Sequence, residues 1–562
     1  MSPTEAARNT VRAFLGAMNI EVRGMHQAAY LLALFALLSQ LLALVRDRLL
    51  ASSFGATHTL DVYYAAFRVP DLLFATAASL LSLYALLPVL SRLEARGSGS
   101  TGFLSKTLLV FFVSMSVLAA VLFIFAPYLA ALVAPGIAGD NLAVLMRILL
   151  LQPILLGASN ILASLTQLRH RFVLYSVSPL LYNLGIIFGI AVLYPRMGLP
   201  GLAWGVVFGA AMHLALQVPF FSSERAGAMP LREAFGYIKE VLKLSVPRTL
   251  ALSMGQVSLL VLTALASFLA PGSIAVFTFA FNLQAVPLAI IGVSYSVAAF
   301  PTLSRLHAAG ESGEYLRHIE AALRHVLFWA IPATVFVIVL RAQLVRTILG
   351  TGAFDWEATR LTAAALALFA VSLCAQSVTL LIARAYYAAG RSARPLMFAS
   401  ASVAVSVLSA SALTAAFHPS GFWRYFLESL LRVADIPGTT VLMLALGYCL
   451  GALAQAGLGL YFFSRDFALP MGPLRRLTFE SFTASVIGGA AAYGALAYLG
   501  SRLNLDTVVG IVSQGAIAGT IGLIITAVTL ALLKNKELVE AYGSLRRRYV
   551  KEPPAVEATD VA

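Results

Sequence analysis

Apolar stretches long enough to cross a bilayer follow one another along nearly the whole chain, and that pattern decides the fold class before any motif is considered. A spanning helix needs about 20 predominantly apolar residues. Fourteen such stretches can be read, at roughly 28–50, 62–90, 105–133, 143–167, 172–194, 198–221, 246–269, 273–303, 322–349, 359–386, 395–417, 438–463, 479–501 and 507–533. In hydrocarbon each backbone N–H and C=O must be bonded within the segment, so stretches of this kind form helices. Composition agrees: 60% of the 562 residues are hydrophobic and 11% are charged, against about 25% charged in soluble domains. The expectation is an all-α polytopic membrane protein with about 14 transmembrane helices.

Topology follows from the basic residues. With the N-terminus inside, 28 of the 39 Lys and Arg fall on the side of the two termini and 9 on the opposite side, with Arg68 and Arg147 inside spans. The positive-inside rule then predicts a multi-pass protein of the cytoplasmic membrane with both ends inside. No cleavable signal peptide is expected, because the first apolar stretch runs on as a full span. Residues 10–20 could lie on the membrane surface as an amphipathic segment or form an unordered leader. The net charge of +14 is read as basic loops facing anionic lipid, not as a nucleic-acid surface. Cys374 and Cys449 both fall in apolar spans and form neither a metal spacing nor a disulfide framework. The sequence holds no Walker loop, no nucleophile–base constellation and no zinc-like histidine cluster, so an enzyme is not expected.

The spans divide into two sets of six and a final pair. The predicted organisation is a cytoplasmic segment at 1–27, a six-helix half at 28–222, an amphipathic cytoplasmic linker at 223–245, a second six-helix half at 246–463, a two-helix extension at 464–533 and a charged tail at 534–562. Residues 421–432, GFWRYFLESLLR, predict a short interfacial helix with Trp423 and Tyr425 at headgroup depth. An internal repeat supports the two halves. ASSFGATHTLDVYYAAFRVP followed by ALLPVLSRL matches ASFLAPGSIAVFTFAFNLQAVP followed by AAFPTLSRL, aligning Phe67 with Phe281 and Pro88 with Pro301. Repeated halves are a transporter signature, with the substrate site between them.

The first copy carries charges where a bilayer tolerates them least: Arg46, Asp47, Arg48, Asp61, Arg68 and Asp71. An intramembrane charge costs a few kcal/mol and faces a cavity or a partner. Asp61 and Arg68, seven apart, are expected on one helix face, and Arg68 and Asp71, three apart, can pair directly. The second copy has none of these charges; from Arg248 to Arg305 no acidic, basic or histidine residue intervenes. That segment offers dipoles instead, including Gln256, Asn282 and Gln284. Asn183 and Asn282 fit either interhelical hydrogen bonding or ligand contact.

The Arg46-Asp47 pair, Phe54-Gly55-Ala56, Asp61, Phe67-Arg68-Val69-Pro70, the Pro179–Gly185 stretch and Arg384-Ala385-Tyr386-Tyr387-Ala388 resemble the MurJ/MviN family, the lipid II flippases of the multidrug/oligosaccharidyl-lipid/polysaccharide exporter superfamily. The resemblance implies a V-shaped bundle with a cationic central cavity, and translocation of a lipid-linked peptidoglycan precursor from the inner to the outer leaflet by alternating access. A charged, sugar-bearing headgroup cannot cross hydrocarbon unaided, and a guanidinium suits its pyrophosphate. Arg46, Arg68, Asp61, Asp47, Asn282 and Gln40 are the substrate-binding candidates; Arg48, Asp71, Asn183 and Gln284 are candidates for a gate or supporting network. The family commonly has cavity arginines where this chain has Gln40, Phe74 and Asn282. Three readings stay open: lipid II transport, export of another polyprenyl-linked oligosaccharide or small molecule, and a non-transporting membrane scaffold. The implied partners are a lipid-linked pyrophosphate saccharide, membrane lipids and the proteins of cell-wall synthesis, with no nucleic acid. No cofactor or metal is called for, and the sequence leaves open whether a coupling ion or the membrane potential drives transport.

Overall fold

A computed structural model describes residues 25–540 and 543, except 79, 82, 96–99, 138, 170, 223–228 and 419–420. The surface segment considered at 10–20 and the acidic chain end lie outside these residues. Every regular element among the described residues is a helix. Eleven helices are long and apolar enough to cross a membrane. The other three predicted spans coincide with the helix Met25–Phe54, a broken run from His58 to Ala95, and the shorter apolar helix Leu199–Ala215. The count of fourteen therefore stands as an expectation, whereas the polytopic all-α class is observed.

The chain packs as two compact units. One takes in the described residues to Val286, Ile348–Phe369 and Arg391–Gln455; the other takes in Pro287–Thr347, Ala370–Gly390 and the described residues from Ala456. In the first, Phe172–Phe188 lies along Leu199–Ala215, and glycine lets the two backbones meet. A Cβ on Gly185 would stand 2.2 Å from the Cα of Gly209, and one on Gly205 2.4 Å from that of Gly189. Such close small-residue contacts allow van der Waals packing where lipid removes the hydrophobic drive between helices. In the second, Gly472–Gly500 packs on Val508–Leu532 by the same device: a Cβ on Gly488 would stand 2.6 Å from the carbonyl oxygen of Gly522.

The repeat has a structural counterpart. The helix after Phe67 loosens into a π turn at Phe74–Ala78, and the helix after Phe281 does so at Ala289–Val293. Pro70 and Pro287 precede these turns. A proline inside a helix withdraws one N–H donor and crowds the preceding turn, and π turns are a recurrent way to absorb such a fault, often near functional sites.

Two loops refine the expected organisation. The amphipathic stretch before the seventh span is the opening of one continuous 36-residue helix, Leu231–Ala266. The interfacial segment forms the helix Phe422–Leu431, with Phe422 and Tyr425 exposed and Glu428 buried against Arg424 and Thr439.

Candidate functional site

The charged stretch of the first copy lies on three helices of the first unit, Met25–Phe54, His58–Ala66 and Arg68–Leu73. Arg46 and Asp47 sit late in Met25–Phe54. The Arg46 guanidinium donates from Nε and Nη2 to one oxygen of Asp47, at 2.9 and 2.7 Å, and from Nη1 to Asn183 at 3.2 Å. The second Asp47 oxygen accepts the Asn282 side-chain amide at 3.0 Å. A continuous chain thus runs Asn183–Arg46–Asp47–Asn282, from the fifth predicted span through the first to the eighth. Asn183 also donates to the backbone oxygen of Pro179, at 3.1 Å. That oxygen is an intrahelical acceptor position four residues back, so the amide serves as helix glue and as an Arg46 partner at once.

Arg68 is buried, with 8% of its surface exposed. Its Nε donates to the hydroxyl of Thr263 at 2.8 Å and its Nη2 to that of Thr278 at 3.4 Å. Among the described residues no ion pair joins it to Asp71, although the two share a cavity wall. Arg68 and Asp71 share the six-residue helix Arg68–Leu73, which opens after His58–Ala66 ends at Phe67; the Arg68 guanidinium is turned instead to the hydroxyls of Thr263 and Thr278.

Arg46, Arg68, Asp71 and Asn282 share the wall of one cavity of about 260 Å³. That is room for about nine waters at ~30 Å³ each, enough for a phosphate or a sugar but not for a whole lipid-linked oligosaccharide headgroup. Two guanidiniums face two carboxylates there, counting Asp47 behind Arg46, so the formal charge sums to zero. The remaining wall is aromatic and amide in character, including Tyr64, Tyr182, Phe281 and Gln256. Tyr64 is buried, and its hydroxyl has no hydrogen-bond partner among the described residues.

Asp61 does not line this cavity. It is 2% exposed, and its carboxylate accepts the backbone N–H of Gly272 at 2.5 Å and of Ala275 at 2.8 Å. These amides belong to the start of Ser273–Leu288, where helix N–H groups lack intrahelical partners and a negative charge is favoured. The expected shared face with Arg68 is thereby corrected: the break at Phe67 sends the two side chains to different partners. Around Asp61 three turns interlock. Ala353 N–H donates to the Ser52 oxygen at 2.9 Å. Gly272 has φ +89° and leaves no room for a side chain, since a Cβ would stand 2.1 Å from the Ala56 oxygen. Gly352 meets Ser52 in the same way, at 2.4 Å. Arg48 reaches this region as well, donating to the Ile348 oxygen at 3.4 Å.

Gln40 and Gln284 stand apart from the cavity wall. Gln40 is half-buried on Met25–Phe54. Gln284 is buried, with its amide nitrogen unpartnered among the described residues. Phe74, at a position where the family commonly has arginine, opens the π turn. The sequence reading missed Thr263, Thr278 and Tyr64, which look like ordinary filler of an apolar helix. No group of three or more His, Cys, Asp or Glu able to hold a metal ion occurs among the described residues.

A family model described as "Lipid II flippase MurJ" matches residues 50–512. The chain belongs to the MurJ family. Among MurJ relatives, the lipid II flippase MurJ of Burkholderia cenocepacia is 29% identical over 370 residues, covering 63% of this chain and 71% of that protein. The probable lipid II flippase MurJ of Thermotoga maritima is 28% identical over 360 residues, covering 62% and 71%. A solved structure of lipid II flippase MurJ in an inward closed conformation matches with a TM-score of 0.69 at 19% identity, over 90% of this chain and all of the other. An inward-facing MATE transporter of the MOP superfamily matches at 0.62 and 13% identity, over 76% of this chain and 94% of that one. At these identities the structural matches speak for the fold. Within the MurJ fold this chain is a transmembrane protein of transporter type, with a polar cavity at its charged repeat.

Proposed function

We propose that this chain is a flippase of the cytoplasmic membrane that carries lipid II from the inner to the outer leaflet by alternating access, with both termini inside. The observation that carries the reading is Arg68: a buried guanidinium at a cavity wall, held by two neutral hydroxyls. Asp71 shares the cavity wall with Arg68 but is not joined to it by an ion pair among the described residues, so an anionic headgroup can supply the direct charged contact that the guanidinium lacks. Charge-assisted bonds to phosphate are roughly twice as strong as neutral ones. Arg46 is the second cation, released to the headgroup when its bonds to Asp47 and Asn183 open. A cavity lined by both arginines favours transport over a non-transporting scaffold. With the termini inside, the turns around Gly55, Gly272 and Gly352 face outward, and the Asp61 clasp then acts as the outer gate.

The test is complementation. A cell-wall-forming host is depleted of its own flippase, this chain is expressed, and lipid II in the outer leaflet is measured directly. Restoration is expected for the native chain and loss of restoration for Arg68→Ala at equal expression. A well-expressed native chain that leaves outer-leaflet lipid II unrestored would reject this cargo. A second reading, another polyprenyl-linked oligosaccharide, is favoured by Asn282, a neutral amide where the family commonly has a cation; substituting that cargo in the same assay separates the two.

A further inference from the structure

One polar group on the wall of the charged cavity is left without a bond. Tyr64 lies on His58–Ala66 and shares the wall with Arg46 and Arg68. It is 8% exposed. Its hydroxyl oxygen is closed to water and has no hydrogen-bond partner among the described residues. Buried polar groups are ordinarily bonded, and an orphan gives up the water it had in the unfolded chain with nothing in return. A phenyl ring would fill the same space without that loss.

Packing keeps the ring from swinging to mend this. It stands edge-on to Phe279, with centroids 5.7 Å apart and planes at 84°. Phe279 is itself fully buried and stands edge-on to Phe354, at 5.6 Å and 88°. Tyr63 packs against the Tyr64 ring at 5.4 Å. The hydroxyl keeps one freedom, rotation about its own C–O bond, and that brings it no acceptor among the described residues. Tyr315 shows the ordinary case. It is also buried, and its hydroxyl donates to the Ala385 oxygen at 2.7 Å.

The missing partner can come with the cargo. A guanidinium carries five N–H donors. Arg68 commits two of them, to Thr263 and Thr278, so donors stand ready beside Tyr64 on the same wall. A sugar hydroxyl accepts a bond but brings a proton that needs an acceptor of its own. A phosphate oxygen only accepts, and it can take a hydroxyl proton and a guanidinium proton together.

We propose that Tyr64 is a phosphate-binding residue: as the wall parts around the headgroup, its orphan hydroxyl donates to a pyrophosphate oxygen beside Arg68. The identity of the cargo rests on the flippase reading. The unpaired hydroxyl raises the free energy of the empty cavity, and the headgroup removes that cost, so one group favours the loaded state twice over. The formal charges of this cavity sum to zero. A neutral donor adds affinity for phosphate there without adding a cation whose burial in the empty cavity would be costly.

The test compares Tyr64→Phe with the native full chain, using farnesyl pyrophosphate and farnesol as probes. Tyr64→Phe should raise the melting temperature of the empty protein, because it removes an unpaired buried hydroxyl. Tyr315→Phe, which takes the donor from the Ala385 oxygen, should lower it. Affinity for farnesyl pyrophosphate should fall about tenfold in Tyr64→Phe, with farnesol binding unchanged. A variant that melts below the native chain overturns the proposal, and so does one that binds farnesyl pyrophosphate as the native chain does. An equal loss for both probes also overturns it and makes Tyr64 a packing contact. Outer-leaflet lipid II separates this result from the flippase reading. Weaker pyrophosphate binding by the variant, beside a native chain that delivers no lipid II, supports Tyr64 and rejects the cargo. Full delivery by both chains keeps the cargo and rejects Tyr64. A native chain that neither binds farnesyl pyrophosphate nor delivers lipid II rejects both.

Discussion

Replacing Asp61 by Asn changes one atom of a side chain that is 2% exposed and clasps two backbone amides. The carboxylate accepts from Gly272 at 2.5 Å and from Ala275 at 2.8 Å. A hydrogen bond to a charged group contributes about 1.5–3 kcal/mol, against about 0.5–1.5 kcal/mol for a neutral one. The amide keeps one acceptor oxygen and turns a donor toward the second N–H. The favourable charge at the start of Ser273–Leu288 also goes, a further ~0.3–1 kcal/mol. Together the clasp should weaken by about 2–3 kcal/mol, which is roughly 30- to 150-fold in its opening equilibrium.

Hydrogen exchange reads that equilibrium directly, since a bonded amide exchanges when its local structure opens. In the native chain the peptide covering 269–276 should be protected. In Asp61→Asn its exchange should accelerate by the factor above. The peptide containing Ala353 should accelerate with it, because the Ala353–Ser52 bond belongs to the same interlocked turns. Arg46→Ala, which disturbs a separate network, should leave both peptides unchanged. Unaltered exchange at 269–276 in a folded Asp61→Asn chain would refute the clasp and return Asp61 to the list of substrate ligands.

Three further outcomes follow from the geometry. Gly272→Ala combines a positive φ with a Cβ 2.1 Å from the Ala56 oxygen and should cost about 2–3 kcal/mol, seen as a lower melting temperature; Gly310→Ala, at φ +76° in open space, should cost only about 1 kcal/mol. Arg68→Lys keeps the charge but loses the planar fork that reaches Thr263 and Thr278, so outer-leaflet delivery should fall at least about tenfold (~1.4 kcal/mol) at normal expression. Asn282→Arg gives Asp47 a second guanidinium and frees Arg46; binding of a soluble polyprenyl-pyrophosphate analogue should tighten about fivefold, worth roughly the ~1 kcal/mol of one charged hydrogen bond, and weaker binding in a stable variant would contradict the assigned charge balance.

The membrane-spanning architecture was legible because length and apolarity suffice to specify a span. The break inside the second span was not. Nothing in AAFRVPDLL marks Phe67 as the end of one helix and Arg68 as the start of another, except that Pro70 fits a first turn. The π turns are equally silent, although Pro70 and Pro287 announce that something nearby must yield. The glycines at 185, 189, 201, 205 and 209 carry the four-residue spacing of close helix packing, yet spacing alone does not say which helix is the partner. At the site, Arg46 and Arg68 stood out as charges in apolar surroundings. The partners of Asp61 left no trace, because backbone amides look alike in every sequence.

The uncharged second copy of the repeat gains a physical sense from these contacts. Asp47 accepts from Asn282, Asp61 from the amides of Gly272 and Ala275, and Arg68 donates to Thr263 and Thr278. Each of these three first-copy charges is therefore met by neutral dipoles from one stretch, 263–282. Removing one partner of a buried ion pair costs about 3–5 kcal/mol, which would fasten two elements permanently. A bond from a charge to a neutral group costs about 1.5–3 kcal/mol to break, and water or a headgroup entering the cavity can replace it. Charges on one side and dipoles on the other make a contact firm enough to close yet weak enough to reopen within a transport cycle. On this argument the missing charges between Arg248 and Arg305 are what allows the contact to part, and adding a carboxylate opposite Arg68, as in Thr278→Glu, should hold it shut.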